Sequence, residues 1–257
     1  MKNKKTFIPS LFTAFNIFCG YLAILKILEG NYVTACWLVF LAAIFDALDG
    51  RLARFMNTPS NFGVEFDSLA DVISFGVAPS ILLYNIYFNK MGILGIIISF
   101  SPLIFGGIRL ARFNIQLVGF EKSNFSGLPI PVAAISFISF TIFNNYFWNE
   151  IHLTRFIIPQ LAVVCILMVS TIEYPSFPKM TFKAGRKHSS LILFVILCFI
   201  ILMIFPHETM YPLTIGYILY GVIMFLYKIF KSNGEDNGDD EINKKSSRRR
   251  RKSKKEE

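Results

Sequence analysis

A chain of 257 residues that is 54% hydrophobic and only 17% charged, with 28 Phe, carries more apolar and less charged side chain than a water-soluble domain of that length. One or two soluble domains are excluded on this balance, and a single membrane domain is left. The four cysteines, Cys19, Cys36, Cys165 and Cys198, sit in apolar runs without C-x-x-C or His-paired spacing. Nothing in that pattern suggests zinc, redox work or a disulfide framework, so they read as small buried apolar residues.

Windows of about 20 apolar residues predict eight spans in chain order, at 7–28, 31–55, 66–88, 91–115, 128–148, 154–172, 189–206 and 209–230, with short connections. The expected fold is all-α, a polytopic membrane helical bundle of about eight transmembrane helices. The first span follows Lys2, Lys4 and Lys5 like a signal peptide, but no small-residue cleavage site follows it, so it is read as retained. Cationic loops stay in the cytoplasm. With the N-terminus inside, only Lys26, Lys90 and Arg155 of the 26 Lys and Arg residues fall outside. Both termini are therefore expected in the cytoplasm, with residues 1–231 as the membrane domain.

Beyond Lys231 the hydrophobic pattern stops. An acidic block with Asp239, Asp240 and Glu241 is followed by a basic one from Arg248 to Lys255, and on composition 232–257 reads as a disordered charged cytoplasmic tail. The basic block is read as a solvated topology signal, with attraction to anionic headgroups or to RNA as the other reading. No internal repeat stands out.

The chemistry concentrates between the second and third spans. Asp46, Asp49, Gly50 and Ala53 share one face of a helix, and Asp67 and Asp71 share a face of the next. An ionised carboxylate near the membrane core costs about 2.5–3.5 kcal/mol on the mildest scale, so four of them require neutralisation. Arg51 or Arg54 can supply part of it. A cluster of oxygen ligands without His or Cys is also what hard divalent cations prefer, and a charge of about −4 suits two Mg²⁺ or Mn²⁺. Paired metals clamp the attacking and leaving oxygens of a phosphoryl displacement. Gly50 and Ala53 leave a hollow beside the carboxylates. Two readings remain open on the residues alone: metal-assisted phosphoryl chemistry over a bound ligand, or a carboxylate-lined ion path with the small residues admitting another helix.

The run Asp46-x-x-Asp49-Gly50-x-x-Ala53-Arg54, continued by Gly63, Asp67 and Asp71, resembles the signature of the CDP-alcohol phosphatidyltransferases at every position. The signature itself occupies only residues 46–71. The resemblance implies a homodimeric helical membrane enzyme that moves a phosphatidyl group from a CDP-linked lipid to an alcohol and releases CMP. It further implies two divalent cations on Asp46, Asp49, Asp67 and Asp71, a cytidine nucleotide against Gly50 and Ala53 with Arg54 nearby, and Asp71 as general base. Ser68–Pro79, Arg109–Asn114 and Gly127–Pro131 look like the corresponding stretches of the phosphatidylserine synthase branch. L-Serine is thus the expected acceptor and CDP-diacylglycerol the donor, in a multi-pass protein of the cytoplasmic (inner) membrane. The active site would face the cytoplasm, and no nucleic acid is required. The alternatives are glycerol 3-phosphate or an inositol phosphate as acceptor, which would need further basic groups, and, more remotely, a cation transporter.

Outside the signature, Arg109 and Arg112 lie three apart on one helical face, in reach of the donor diphosphate or the serine carboxylate. Asn114 is a weaker candidate for the same role, since one Asn at a helix end is more often a cap. Thr13, Asn16 and Gly20 fall at helical spacing and read as a helix-contact stripe, with the nucleotide hollow as the other possibility. Pro129 and Pro131 either shape a loop over the site or set a helix start. His152, His188 and His207 have no ligand spacing and are assigned no chemistry.

Overall fold

The structure, a computed structural model, describes residues 3–55, 61–118, 127–148, 154–172, 174, 197–198 and 200–253. These form helices and no strand: α1 (Asn3–Leu28), α2 (Tyr32–Phe55), α3 (Asn61–Asp71), α4 (Ala78–Leu83), α5 (Ile93–Val118), α6 (Ile130–Trp148), α7 (Thr154–Val169) and α8 (Pro206–Ser253). A wider π turn at Val72–Val77 joins α3 to α4, and a second π turn at Tyr84–Phe88 and a 3₁₀ turn at Asn89–Met91 extend the same helical segment beyond α4. An all-helical bundle is what hydrocarbon demands, since a helix satisfies its own backbone polar groups.

Six helices among the described residues are long and apolar enough to cross a membrane: Leu11–Leu28, Tyr32–Leu52, Phe62–Met91, Ile93–Ile115, Ile130–Trp148 and Pro206–Ile229. The sixth expected span corresponds to α7, which has only 16 residues. At 1.5 Å per residue that is about 24 Å of helix, short of a hydrocarbon core of about 30 Å. Half of the seventh, 189–206, lies outside the described residues. The chain is a multi-pass membrane protein with an all-α bundle.

Contacts divide the chain into two units, Met1–Gly216 and Tyr217–Glu257. In the second, the backbone is helical as far as Ser253, where composition led to an expectation of disorder from residue 232. Lys, Arg and Glu are good helix formers, and extending a helix already nucleated is far cheaper than starting one.

Within the first unit, α1 and α2 form the most extensive pairing. Their turn ends α1 in a Schellman arrangement, with the Asn31 N–H donating to the Lys26 carbonyl at 2.8 Å and the Gly30 N–H to the Ile27 carbonyl at 3.0 Å. Gly30 takes φ +80°, the left-handed position that glycine fills without a Cβ penalty. Beside it Lys26 donates to Glu29 at 2.7 Å and holds that exposed carboxyl below the usual carboxylate range.

The core packs Phe75, Leu82, Leu83 and Phe88 of the α3–α4 segment with Phe137 and Phe140 of α6, all fully buried. Cys19, Cys36 and Cys165 are buried and all four cysteines are free thiols, in keeping with their apolar reading. A polar thread ties the later helices: Gln160 donates to the Ser136 carbonyl at 2.9 Å, and the Tyr211 hydroxyl donates to Gln160 at 3.2 Å. His207 stacks on Tyr146 and meets Trp37 edge-on, so its visible contacts are packing contacts.

Candidate active site

The cluster is assembled from the end of α2 and the whole of α3. On α2 the 3.6-residue period puts Asp46 and Asp49 on one face; on α3 it does the same for Asp67 and Asp71. α1 packs against both helices, and a carboxylate oxygen from each of Asp46, Asp49 and Asp67 lies within 4.8 Å of the others. Asp71 stands beside that trio. It is only 8% exposed, and the charges acting on it are those of Asp46, Asp67, Asp49 and the Arg109 guanidinium. The wide π turn begins at the next residue, Val72; such turns interrupt α-helices often at functional sites.

This arrangement is electrostatically unfavourable as a set of bare anions. Two unit charges 4.8 Å apart repel by roughly 3 kcal/mol at an effective dielectric near 20. Oδ1 of Asp67 and Oδ1 of Asp71 are buried without a hydrogen-bond partner among the described residues, and a buried polar atom in that state calls for an explanation such as an ion. Oxygen-only donors, mutual proximity and orphaned oxygens all fit hard divalent cations.

Asp49, 4% exposed, is held from a third helix. Thr13 Oγ1 of α1 donates to Asp49 Oδ2 at 2.9 Å, so Thr13 does more than the helix-contact role its spacing suggested. Gly20 keeps that role: a Cβ there would run into Ser74, whose hydroxyl donates to the Asn16 carbonyl at 2.9 Å. Asn16 itself is fully buried and, among the described residues, neither its Oδ1 nor its Nδ2 has a hydrogen-bond partner. Gly50 is partly exposed, directly after Asp49. Ala53 and Arg54 lie on the last turn of α2, and their side chains fall outside the described residues.

The two arginines expected to act together are separated. Arg109 reaches Asp71 electrostatically, whereas Arg112 Nη1 donates to the Val169 carbonyl at 2.7 Å, satisfying an end carbonyl of α7. The Leu128 N–H donates to the Leu167 carbonyl in the last turn of α7 at 2.9 Å, and the Gly127 N–H donates to the Ile172 carbonyl just beyond that helix at 2.8 Å. Gly127–Pro131 therefore anchors α6 to α7, with Pro131 in the first turn of α6, where proline is tolerated. Asn114 is not a cap, because α5 runs on to Val118. It pairs instead with Ser68, its Nδ2 donating to the hydroxyl at 3.1 Å, which joins α5 to the residue next to Asp67.

Sequence comparison decides which use of such a cluster applies. The family profile described as CDP-alcohol phosphatidyltransferase matches residues 6–172, from α1 through α7. The chain belongs to the CDP-alcohol phosphatidyltransferase family. Among curated relatives of this phosphatidyltransferase, the CDP-diacylglycerol–serine O-phosphatidyltransferase of Helicobacter pylori is 39% identical over 226 residues, 87% of this chain and 92% of that protein. The protein of the same name from Methanocaldococcus jannaschii is 38% identical over 216 residues, 83% of this chain and 92% of that one. An archaetidylserine synthase from Methanothermobacter thermautotrophicus is 44% identical over 174 residues, 65% of this chain and 69% of the relative. The phosphatidyltransferase match covers every helix that contributes to the cluster.

Proposed function

We propose that this phosphatidyltransferase moves the phosphatidyl group of CDP-diacylglycerol to the hydroxyl of L-serine, giving phosphatidylserine and CMP. The observation that carries the reading is the similarity, across more than four-fifths of the chain, to relatives named for that reaction, joined to the carboxylate cluster of α2 and α3.

Asp46, Asp49, Asp67 and Asp71 would hold two divalent cations, Mg²⁺ or Mn²⁺. When bound, these supply positive charge against the diphosphate and the departing CMP. The chain's own residues do the rest. Gly50 and Ala53 give the cytidine nucleotide a surface without side-chain bulk, with Arg54 beside it. Asp71 accepts the proton of the serine hydroxyl as that oxygen bonds to the phosphorus carrying diacylglycerol and the bond to CMP oxygen breaks. Asp71 suits this role through its burial at the edge of the trio and its proximity to the Arg109 charge. Arg109 binds the donor diphosphate or the serine carboxylate. Arg112 is left with the α7 terminus as its visible contact.

The active site faces the cytoplasm of the inner membrane, with both chain termini on that side, because the Lys and Arg residues gather there. The enzyme works as a homodimer. Membrane lipids surround residues 1–231, and 232–257 is a charged cytoplasmic extension.

The test is CMP release by purified protein supplied with CDP-diacylglycerol, Mn²⁺ and one acceptor at a time. Serine should release CMP, and glycerol 3-phosphate and inositol phosphate should not. Release with either of those and none with serine would overturn the acceptor. Membership of the phosphatidyltransferase family disfavours cation transport.

A further inference from the structure

We propose that Asn16 is a specificity-determining residue for the acceptor, its carboxamide binding the ammonium and carboxylate of the amino-acid substrate beside Asp71. The inference rests on the serine reading above and adds a residue to it.

The position follows from the register of α1 against α2. The two are joined by a tight turn and run antiparallel, and Thr13 faces Asp49. Three residues further along α1 therefore corresponds to three residues back along α2, which sets Asn16 at the height of Asp46. At 1.5 Å per residue that is about 4.5 Å deeper in the bundle than Asp49. From the other side, the Asn16 carbonyl accepts from Ser74, one turn beyond Asp71. Asn16 thus stands between the deep end of the carboxylate cluster on α2 and the segment that carries Asp71. Gly50 and Ala53 run the opposite way, toward the shallow end. An in-line displacement puts the attacking oxygen opposite the leaving group. With the nucleotide at the shallow end, the acceptor belongs at the deep end, with Asp71 and Asn16.

The chemistry of the side chain agrees. A carboxamide offers an acceptor and two donors, and here Oδ1 and Nδ2 both lack a partner among the described residues, in a residue with no exposed surface. Buried polar groups are nearly always paired, so the working state should supply partners of both kinds. Serine does so without adding net charge to an anionic site: its ammonium donates to Oδ1 and its carboxylate accepts from Nδ2. The hydroxyl is then held in reach of Asp71. Acyl chains offer no such partners, and a sugar phosphate brings no ammonium.

The experiment compares wild type, N16A and N16S by CMP release with serine and with 3-hydroxypropionate, which has the hydroxyl and carboxylate but no ammonium. Mn²⁺ affinity is measured separately by electron paramagnetic resonance. Loss of hydrogen bonds to charged groups should raise the serine KM of N16A by about 10-fold or more. The KM for CDP-diacylglycerol should stay within about twofold, Mn²⁺ affinity should be unchanged, and the preference for serine over 3-hydroxypropionate should shrink, by less than the serine KM rises, because the carboxylate contact is lost for both acceptors. An unchanged serine KM in either variant, or a rise confined to the CDP-diacylglycerol KM, would remove Asn16 from the acceptor site. If N16A does not fold, N16S is judged by the same ratios. A wild type that releases no CMP with serine would instead refute the serine reading itself.

Discussion

Thr13→Val tests whether α1 is part of the cation site or only its neighbour. Valine keeps the shape and removes the hydroxyl that donates to Asp49 Oδ2 at 2.9 Å in a buried setting. A hydrogen bond to a charged group contributes about 1.5–3 kcal/mol, and at about 1.4 kcal/mol per decade its loss should weaken Mn²⁺ binding roughly 10- to 150-fold. Losing the partner of a metal-ligating carboxylate typically costs a similar factor, about 10- to 100-fold. Thr13→Ser keeps the donor and should bind within a few-fold of wild type. Free Mn²⁺ measured by electron paramagnetic resonance during titration of detergent-purified protein reads this without turnover, and the helical circular dichroism signal checks that the bundle is intact. A folded valine variant with wild-type Mn²⁺ affinity would refute the reasoning, since Asp49 would then be positioned without α1.

Asp71→Asn should abolish serine-dependent CMP release while the protein still purifies as a folded bundle, because an amide cannot take the hydroxyl proton; a turnover assay on the folded variant checks it. Arg109→Ala should raise the KM for CDP-diacylglycerol or serine about 10-fold or more, the loss expected for charge-assisted bonds, with thermal stability little changed. Arg112→Ala should do the reverse. It leaves the Val169 carbonyl without the 2.7 Å bond and should lower stability by about 1–3 kcal/mol with KM values preserved, as a thermal melt and steady-state kinetics together would show.

Asp46, Asp49, Asp67 and Asp71 were legible in sequence because each pair lies within one helix, where the 3.6-residue period fixes which side chains share a face. The first five spans were legible for a related reason, as runs of apolar residues bounded by turns. Relations between helices were not. The stripe Thr13, Asn16, Gly20 was visible as a stripe, but its use depends on the α1–α2 register that sets Thr13 against Asp49, and no local pattern encodes that register. Arg109 and Arg112 share a helical face by spacing, yet a 100° step per residue leaves enough angular difference for one to reach Asp71 and the other the end of α7. Asn114 looked like a terminus because the polar residues near it resemble one; α5 continues to Val118 and turns the same residue into a link to Ser68.

The carboxylate cluster also couples cation binding to stability, with a sign that can be checked. Asp46, Asp49 and Asp67 approach within 4.8 Å, so in the absence of cations each ionised pair opposes folding by roughly 3 kcal/mol. Neutralising one member of the trio with Asp67→Asn removes two of these repulsions and one cation ligand together. In chelator the variant should therefore melt above wild type. On adding Mn²⁺ the order should invert, because a cation at about 100 times its dissociation constant stabilises the folded wild type by about 2.7 kcal/mol and should gain little from a cluster that has lost a ligand. Thermal unfolding of the two proteins with and without Mn²⁺ reads both signs. Curves that move in parallel would mean that the four aspartates do not form one cation site, and that their burial is neutralised in some other way.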